Sequence, residues 1–297
     1  MNFKKSVQSI LWAVLYFGIY EGMQMLISTI GMDVILLIVK NRITLEEAGG
    51  SAEQYRDIVV KRALDLYNEK IALMTVLSGA LTLLVILLIA KIVKHEPFSY
   101  IGIRKVKPKE VGLLFLYGAV FCAAISFILV LIPFPESWLA EYEEESSVLF
   151  DIPAWQTFLS SVIMAPLVEE TVFRGLIYRS LSRGIPRAVA MVLVSVLFGY
   201  LHGTVYWMIY AGVLGLFLVW IYEKFNSTLA SMAVHCGFNL VGSFLISYLP
   251  VSIFLILLCF LATVVLTVHF AQFAPVKIDY LHCYRDLLPD TDDETKK

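Results

Sequence analysis

Residues 153–175 read PAWQTFLSSVIMAPLVEETVFRG, an apolar run that ends in two glutamates and an arginine. The run has the length of a helix that crosses a bilayer, which needs about 20 residues. An ionised side chain at the centre of a membrane helix costs about 2.5 to 3.5 kcal/mol, so such groups persist only where they pair or act. Glu169, Glu170 and Arg174 therefore form the first polar cluster of functional interest.

Two further polar clusters lie in the apolar sequence that follows. Phe198 and His202 are four residues apart, and so are His235 and Asn239. Residues four apart share one face of a helix, so each pair presents its two side chains together. A single intramembrane histidine is commonly a satisfied structural group. Two histidines on helices next to the one that contains the two glutamates indicate a site.

The composition of the chain indicates a polytopic membrane protein. Of the 297 residues, 59% are hydrophobic and 16% are charged, and the mean hydropathy is +0.78. These values lie outside the usual range of soluble domains. The net charge of −2 and the lack of a basic tract with interleaved aromatic residues exclude nucleic acid as a partner. The four cysteines have no CxxC spacing and predict neither a disulfide framework nor a zinc ribbon.

Apolar windows predict an all-α fold, a polytopic membrane helix bundle of about eight transmembrane helices. The predicted spans lie near residues 6–30, 71–93, 111–133, 153–175, 187–202, 206–222, 228–249 and 251–271.

The distribution of lysine and arginine predicts the orientation. The connection 91–110 contains six of them and the stretch 174–187 contains four, whereas 134–152 has none and has five glutamates. The positive-inside rule then places both termini on the cytoplasmic side of the membrane. This membrane would be the cell membrane if the source is prokaryotic. Residues 41–70, which this topology places outside, have five basic residues offset by six acidic ones.

Residues 51–70 have the pattern of an amphipathic helix. Ser51 is followed three residues later by Gln54, which is a capping-box pattern, and apolar residues then recur at helical spacing. We expect an interfacial helix on the membrane surface that leads into the second span, in preference to a substrate gate. The polar tail after Pro275 is expected to be disordered.

Helical spacing separates the roles of the two glutamates. Glu170 and Arg174 form an i,i+4 pair in the favourable order, acid first. Glu169, about 100° away on the helix, is free to face a cavity, where a carboxylate can accept and return a proton. Glu169 is therefore the candidate general base. In a soluble protein, the default interpretation of these residues would be a salt bridge at a helix end. Inside a membrane, that interpretation is less well supported.

The two histidines offer complementary chemistry. His202 can orient water or ligate a metal, while His235 with Asn239 can donate hydrogen bonds to a developing oxyanion. A cysteine protease is the poorer interpretation, because the adjacent residues His235 and Cys236 diverge by about 100° on a helix.

The sequence also predicts that the clusters converge. Gly184, Ile185 and Pro186 indicate a tight turn, with Glu169 sixteen residues before Ile185 and His202 seventeen residues after it. In an antiparallel hairpin the two side chains lie level, so we expect a wet chamber nearer the cytoplasmic leaflet. Pro166 lacks a backbone donor, which indicates either a kink in the helix before the glutamates or a proline tolerated in a membrane helix.

The three motifs together resemble those of the CPBP family, also called Abi or type II CAAX endopeptidases. The sequence has EExxxR at 169–174, FxxxH at 198–202 and HxxxN at 235–239, in this order. The resemblance covers roughly residues 153–249, about a third of the chain.

The resemblance implies an intramembrane endopeptidase that acts on a membrane-associated peptide or protein within the lipid bilayer. Glu169 and His202 would activate the attacking water, His235 and Asn239 would stabilise the oxyanion, and Glu170, Arg174 and Phe198 would complete the site. The chain would divide into N-terminal transmembrane helices with an amphipathic extramembrane helix (1–110), a protease core (111–250), and a last transmembrane helix with a polar cytoplasmic tail (251–297).

The metal content of such a site is open. Members of the family are often described as metalloproteases, and Glu169, His202 and His235 would be the ligands of a Zn²⁺ ion with an open position for water. The sequence has no HExxH motif, and the two histidines lie on different predicted helices. We therefore favour a metal-free glutamate mechanism slightly.

Two other classes of protein stay open. A non-catalytic membrane scaffold or a bacteriocin self-immunity protein, a role that some relatives fill, would tolerate the loss of Glu169 or His202. A small transporter would use the carboxylates as a proton relay. The absence of paired half-helices or a symmetric second polar site counts against the transporter.

Overall fold

The computed structural model describes residues 3–47, 49–150, 152–250 and 252–273, and within these residues all regular structure is helical. The predicted all-α class is therefore confirmed. The polar tail predicted after Pro275 lies outside the described residues.

The helices follow one another in a simple order. The first five are α1 (Phe3–Lys40), α2 (Ala52–Ile92), α3 (Pro97–Tyr100), α4 (Pro108–Val130) and α5 (Glu136–Phe150). A continuous helical run, residues 154–184, comes next and is called the glutamate helix below. It consists of α6 (Ala154–Thr157), a π-helical segment (Phe158–Met164), α7 (Ala165–Glu169), a second π-helical segment (Glu170–Tyr178) and α8 (Arg179–Gly184). The last elements are α9 (Arg187–Tyr200), α10 (Val205–Phe225), α11 (Thr228–Phe244), a 3₁₀ turn (Ile246–Tyr248) and α12 (Ile253–Ala271).

The described helices make the chain an integral membrane protein. Five of them, α1, α2, α4, α10 and α12, are long and apolar enough to cross a bilayer. The predicted count of eight spans is not confirmed. The predicted spans at 187–202 and 228–249 correspond to α9 and α11, with 14 and 17 residues. The span at 153–175 lies in the glutamate helix, where π-helical segments interrupt the α-helix.

α1 and α2 form a hairpin that is longer than a membrane requires. With 38 and 41 residues, the helices measure about 57 and 62 Å at 1.5 Å per residue, about twice the hydrocarbon thickness. Their distal ends pack together through a small core of Ile35, Val39, Val59 and Ala63.

The start of α2 follows the prediction, but its length does not. The Ser51 hydroxyl accepts a hydrogen bond from the Gln54 N–H at 3.1 Å, as the capping-box pattern predicts. The amphipathic helix expected at 51–70 does lead into the second span, as the first half of the one helix that residues 52–92 form. The apolar side chains in the first half of α2 pack against α1. The face that was expected to lie on the membrane surface therefore contacts another helix.

Two glycines fix the register of α11 against α4. A Cβ atom on Gly118 would lie 1.8 Å from the carbonyl oxygen of Val234, and one on Gly237 would lie 1.9 Å from that of Phe115. Only glycine allows the two backbones to approach so closely. α11 is therefore held tightly at the level of His235.

The turn between the glutamate helix and α9 lies where the sequence predicts it. α8 ends at Gly184, and α9 begins at Arg187 after Ile185 and Pro186. The Ser6 hydroxyl donates a hydrogen bond to the Gly184 carbonyl at 2.6 Å. This contact brings α1 alongside the glutamate helix.

Candidate active site

A buried ion pair forms the centre of the site. Arg174 Nη1 donates to Glu170 Oε1 at 2.8 Å, and both side chains are fully buried. Arg174 Nη2 donates to the Gly215 carbonyl at 3.1 Å, and the guanidinium carbon lies 4.5 Å from the centre of the Phe198 ring. Arg174 thus connects the glutamate helix to α9 and α10 through a hydrogen bond and a cation–π contact.

His235 lies between the two glutamates. Its Nδ1 atom is 2.9 Å from Glu170 Oε1, and its Nε2 atom is 3.8 Å from Glu169 Oε2. A carboxylate accepts hydrogen bonds, so His235 Nδ1 donates to Glu170. The imidazole is almost fully buried. It is the residue that joins the first and third sequence clusters.

The two glutamates have different surroundings. The side chain of Glu170 is fully buried, whereas that of Glu169 is 16% exposed. Glu170 is engaged by both Arg174 and His235. Glu169 has no comparable short contact and retains access to a polar molecule, as the helical spacing predicts.

His202 follows the end of α9 in a tight turn. Its Nδ1 atom is 2.7 Å from the Phe198 carbonyl oxygen. A carbonyl only accepts, so Nδ1 has the proton and Nε2 is an acceptor in the neutral ring. The next residue, Gly203, has φ +83°, a backbone conformation that glycine adopts without strain. The turn therefore fixes both the position and the tautomer of His202.

Phe198 separates the two histidines. The centre of its ring lies 4.8 Å from that of His202 and 5.8 Å from that of His235. Glu169 contacts the imidazole of His235. The partnership of Glu169 with His202 stays a prediction.

Asn239 replaces a hydrogen-bond donor that the backbone of the glutamate helix lacks. Asn239 Nδ2 donates to the Ser161 carbonyl at 2.8 Å. The Ala165 N–H bonds to the Ser160 carbonyl, and Pro166 has no N–H. The helix thus provides no donor to Ser161 at either position, and Asn239 supplies one. A π-helical segment, of a kind frequent at functional sites, ends just before Pro166. The kink stays a prediction.

α1 contributes to the site although it has no recognised motif. Tyr20 packs edge-on against Phe173 with 5.7 Å between ring centres. Gln24 Nε2 donates to the Tyr20 hydroxyl at 3.4 Å. The sequence signal was Tyr20, Glu21 and Gln24, three polar positions inside the first apolar run.

The alternative metal ligands do not come together. Within the described part of the chain, no three histidine, cysteine, aspartate or glutamate side chains lie close enough to hold a metal ion. Glu169, His202 and His235 therefore do not form a ligand set in this arrangement.

The fold and the buried Glu–Arg–His centre define a polytopic membrane protein with a polar site inside its helix bundle. Residues 151–241, which include all three motifs, match the family described as type II CAAX prenyl endopeptidase Rce1-like. This match confirms the resemblance that the motifs indicate.

One similar protein is the UPF0177 protein YxdF of Lactococcus lactis subsp. lactis strain IL1403. The two are 32% identical over 99 residues, which are 33% of this chain and 54% of that protein. The chain thus spans about half the length of the curated relative it matches. No solved structure matches the chain.

Proposed function

We propose that the protein is an intramembrane endopeptidase that cleaves a membrane-associated peptide or protein. The observation that supports this best is the position of His235, 2.9 Å from Glu170 and 3.8 Å from Glu169. Through this one side chain, two motifs 65 residues apart form a single polar centre. The match to the Rce1-like family supports the peptidase class.

Glu169 is the general base in the proposed reaction. Its partly exposed carboxylate takes a proton from a water molecule that His202 Nε2 orients. The water oxygen forms a bond to the peptide carbonyl carbon. Glu169 then returns the proton to the amide nitrogen as the C–N bond breaks, which leaves a carboxylic acid and an amine. The acid proton passes to the amine, which gives a carboxylate and an ammonium group.

His235 stabilises the oxyanion in this proposal. Glu169 and Glu170 bring two negative charges to the centre, and Arg174 brings one positive charge. Donation from both ring nitrogens requires the imidazolium form, so the proposal assigns His235 a proton on each nitrogen. With Nδ1 bonded to Glu170, the Nε2–H of the imidazolium is the donor to the oxyanion.

Asn239 is the second oxyanion donor. An amide NH₂ group has two hydrogens, and the Ser161 carbonyl receives one of them. The other hydrogen is available to the oxyanion, and the first holds the side chain in place.

The arrangement in the membrane is part of the same proposal. Both termini lie on the cytoplasmic side, as the lysine and arginine distribution predicts. The protease core spans residues 111–250, between the N-terminal helices of residues 1–110 and the last helix and polar tail of residues 251–297.

Cleavage by membrane-embedded variants tests the proposal. Glu169→Gln and His202→Ala are expected to lower the release of peptides from membranes by about 10²- to 10⁴-fold, the usual contribution of acid–base groups. Glu141→Gln, at an exposed glutamate on α5, is the matched control and keeps full release. Undiminished release by Glu169→Gln would refute the proposal.

A non-catalytic scaffold or bacteriocin self-immunity protein is the second candidate. The buried contacts of Glu170 with Arg174 and His235 favour it, because the same contacts would hold a purely structural core together. Such a protein would release no peptides in its wild-type form. It would also keep its protection or partner binding in Glu169→Gln.

A further inference from the structure

A polar groove lies between α1 and α2. It encloses about 280 Å³. Its polar lining comprises Tyr20, Glu21, Gln24 and Ser28 from α1 and Tyr67 and Thr75 from α2. Both helices are apolar enough to cross a membrane, so a polar groove at this place needs an explanation.

The inner end of the groove meets the candidate active site. Leu201, which also lines the groove, directly precedes His202. Tyr20 packs edge-on against Phe173 of the glutamate helix, four residues after Glu169. A chain that lies in the groove therefore leads to the residues proposed to cleave it.

Several polar groups of the groove have no protein partner. Gln24 is engaged, since it accepts a hydrogen bond from Ser78 Oγ at 2.6 Å and donates one to Tyr20. Glu21, Ser28 and Tyr67, by contrast, have no hydrogen bond or ion pair with any described residue. These three side chains are available to a bound molecule.

The shape and charge of the groove define its ligand. From Tyr20 to Ser28 the α-helix rises about 12 Å, which is the length of three or four residues of extended peptide. Glu21 is the one charged side chain in the described lining. An unpaired carboxylate favours a lysine or arginine side chain.

We propose that the groove binds an extended segment of the substrate beside the cleaved bond and that Glu21 selects a lysine or arginine in that segment. This inference rests on the proposed endopeptidase function and adds a substrate class to it. Glu21 contacts the substrate away from the reacting atoms, so it determines which peptides are cleaved.

The test compares the sequences of the peptides that variants release from membranes. Wild-type protein is expected to yield products with a lysine or arginine at a fixed distance from the cleaved bond. In Glu21→Gln, this enrichment falls about tenfold, which corresponds to about 1.4 kcal/mol. In Glu21→Lys, aspartate or glutamate takes over the same position.

Two controls keep the result interpretable. Asp33→Asn changes an exposed acid on the same helix and keeps the wild-type preference. Glu21→Asp retains the carboxylate and is expected to retain most of the enrichment, which separates the effect of charge from a folding defect.

The failures of the two proposals are distinguishable. If Glu169→Gln abolishes release while Glu21→Gln and Glu21→Lys keep the wild-type preference, the groove proposal is overturned and the endopeptidase stands. If Glu169→Gln releases the same peptides as wild type, the endopeptidase itself is overturned.

Discussion

Individual residues of the site depend strongly on one another. Glu170 faces both Arg174 and His235 in a fully buried position. Glu170→Gln leaves Arg174 as an uncompensated buried charge, and breaking a buried pair in this way costs about 3 to 5 kcal/mol. We expect a clear fall in the thermal unfolding temperature of the purified variant, with Glu141→Gln unchanged. An unaltered unfolding temperature in Glu170→Gln would contradict the buried network.

Asn239 and Pro166 are expected to be energetically coupled. Asn239→Ala leaves the Ser161 carbonyl without a donor, which costs about 1 to 3 kcal/mol. Pro166→Ala restores a backbone N–H five residues after Ser161, which can donate to the Ser161 carbonyl. In the Pro166→Ala variant, Asn239→Ala is therefore expected to lower the free energy of unfolding by about 1 kcal/mol less than in the wild type. A double-mutant cycle of unfolding free energies measures the coupling. Strictly additive effects would mean that Asn239 does not replace the missing donor.

At this scale the sequence predicts local pairs and misses distant ones. The Glu170–Arg174 pair follows from i,i+4 spacing alone and is present at 2.8 Å. The contact of His235 with Glu169 and the bond from Asn239 to Ser161 depend on how α11 packs against the glutamate helix. No spacing rule within one helix specifies that packing.

Among the elements, the contact of α4 with α11 positions the site. Gly118→Ala and Gly237→Ala would each place a methyl group against a backbone carbonyl oxygen of the other helix. Overpacking costs about 1 to 3 kcal/mol where side chains can yield, and here backbone must move. We expect both variants to unfold at lower temperature and to lose cleavage.

The matched control for these glycines lies on the same helix. A Cβ atom on Gly112 of α4 meets nothing within 4 Å, so Gly112→Ala is expected to match the wild type or to exceed it slightly in stability. Equal unfolding temperatures for Gly112→Ala, Gly118→Ala and Gly237→Ala would disprove the close packing of α4 and α11.

Element boundaries were predictable where a local signal marks them. Ser51 caps α2 and Gly184 ends α8, as the capping and turn patterns predict. The length of α2 was not predictable, because an apolar face suits either a membrane surface or another helix. The π-helical segments of the glutamate helix could not be predicted from apolar windows, because such windows do not distinguish α-helical from π-helical hydrogen bonding.

For the whole molecule, the proposed glutamate mechanism predicts that cleavage does not depend on a bound metal. No three candidate ligands converge among the described residues. Chelator treatment of purified, active protein is therefore expected to leave peptide release unchanged, with no stoichiometric metal found by elemental analysis. Loss of release on chelation, restored by Zn²⁺, would show that the three donors rearrange around an ion.

The most direct measurement of the central claim follows the oxygen of the attacking water. Membranes that contain wild-type protein or Glu169→Gln are incubated in H₂¹⁸O, and the released peptides are analysed by mass spectrometry. The endopeptidase account predicts peptides with ¹⁸O in the new terminal carboxylate from the wild type, and about 10²- to 10⁴-fold fewer from Glu169→Gln. Equal amounts of labelled peptide from both membranes would contradict the account.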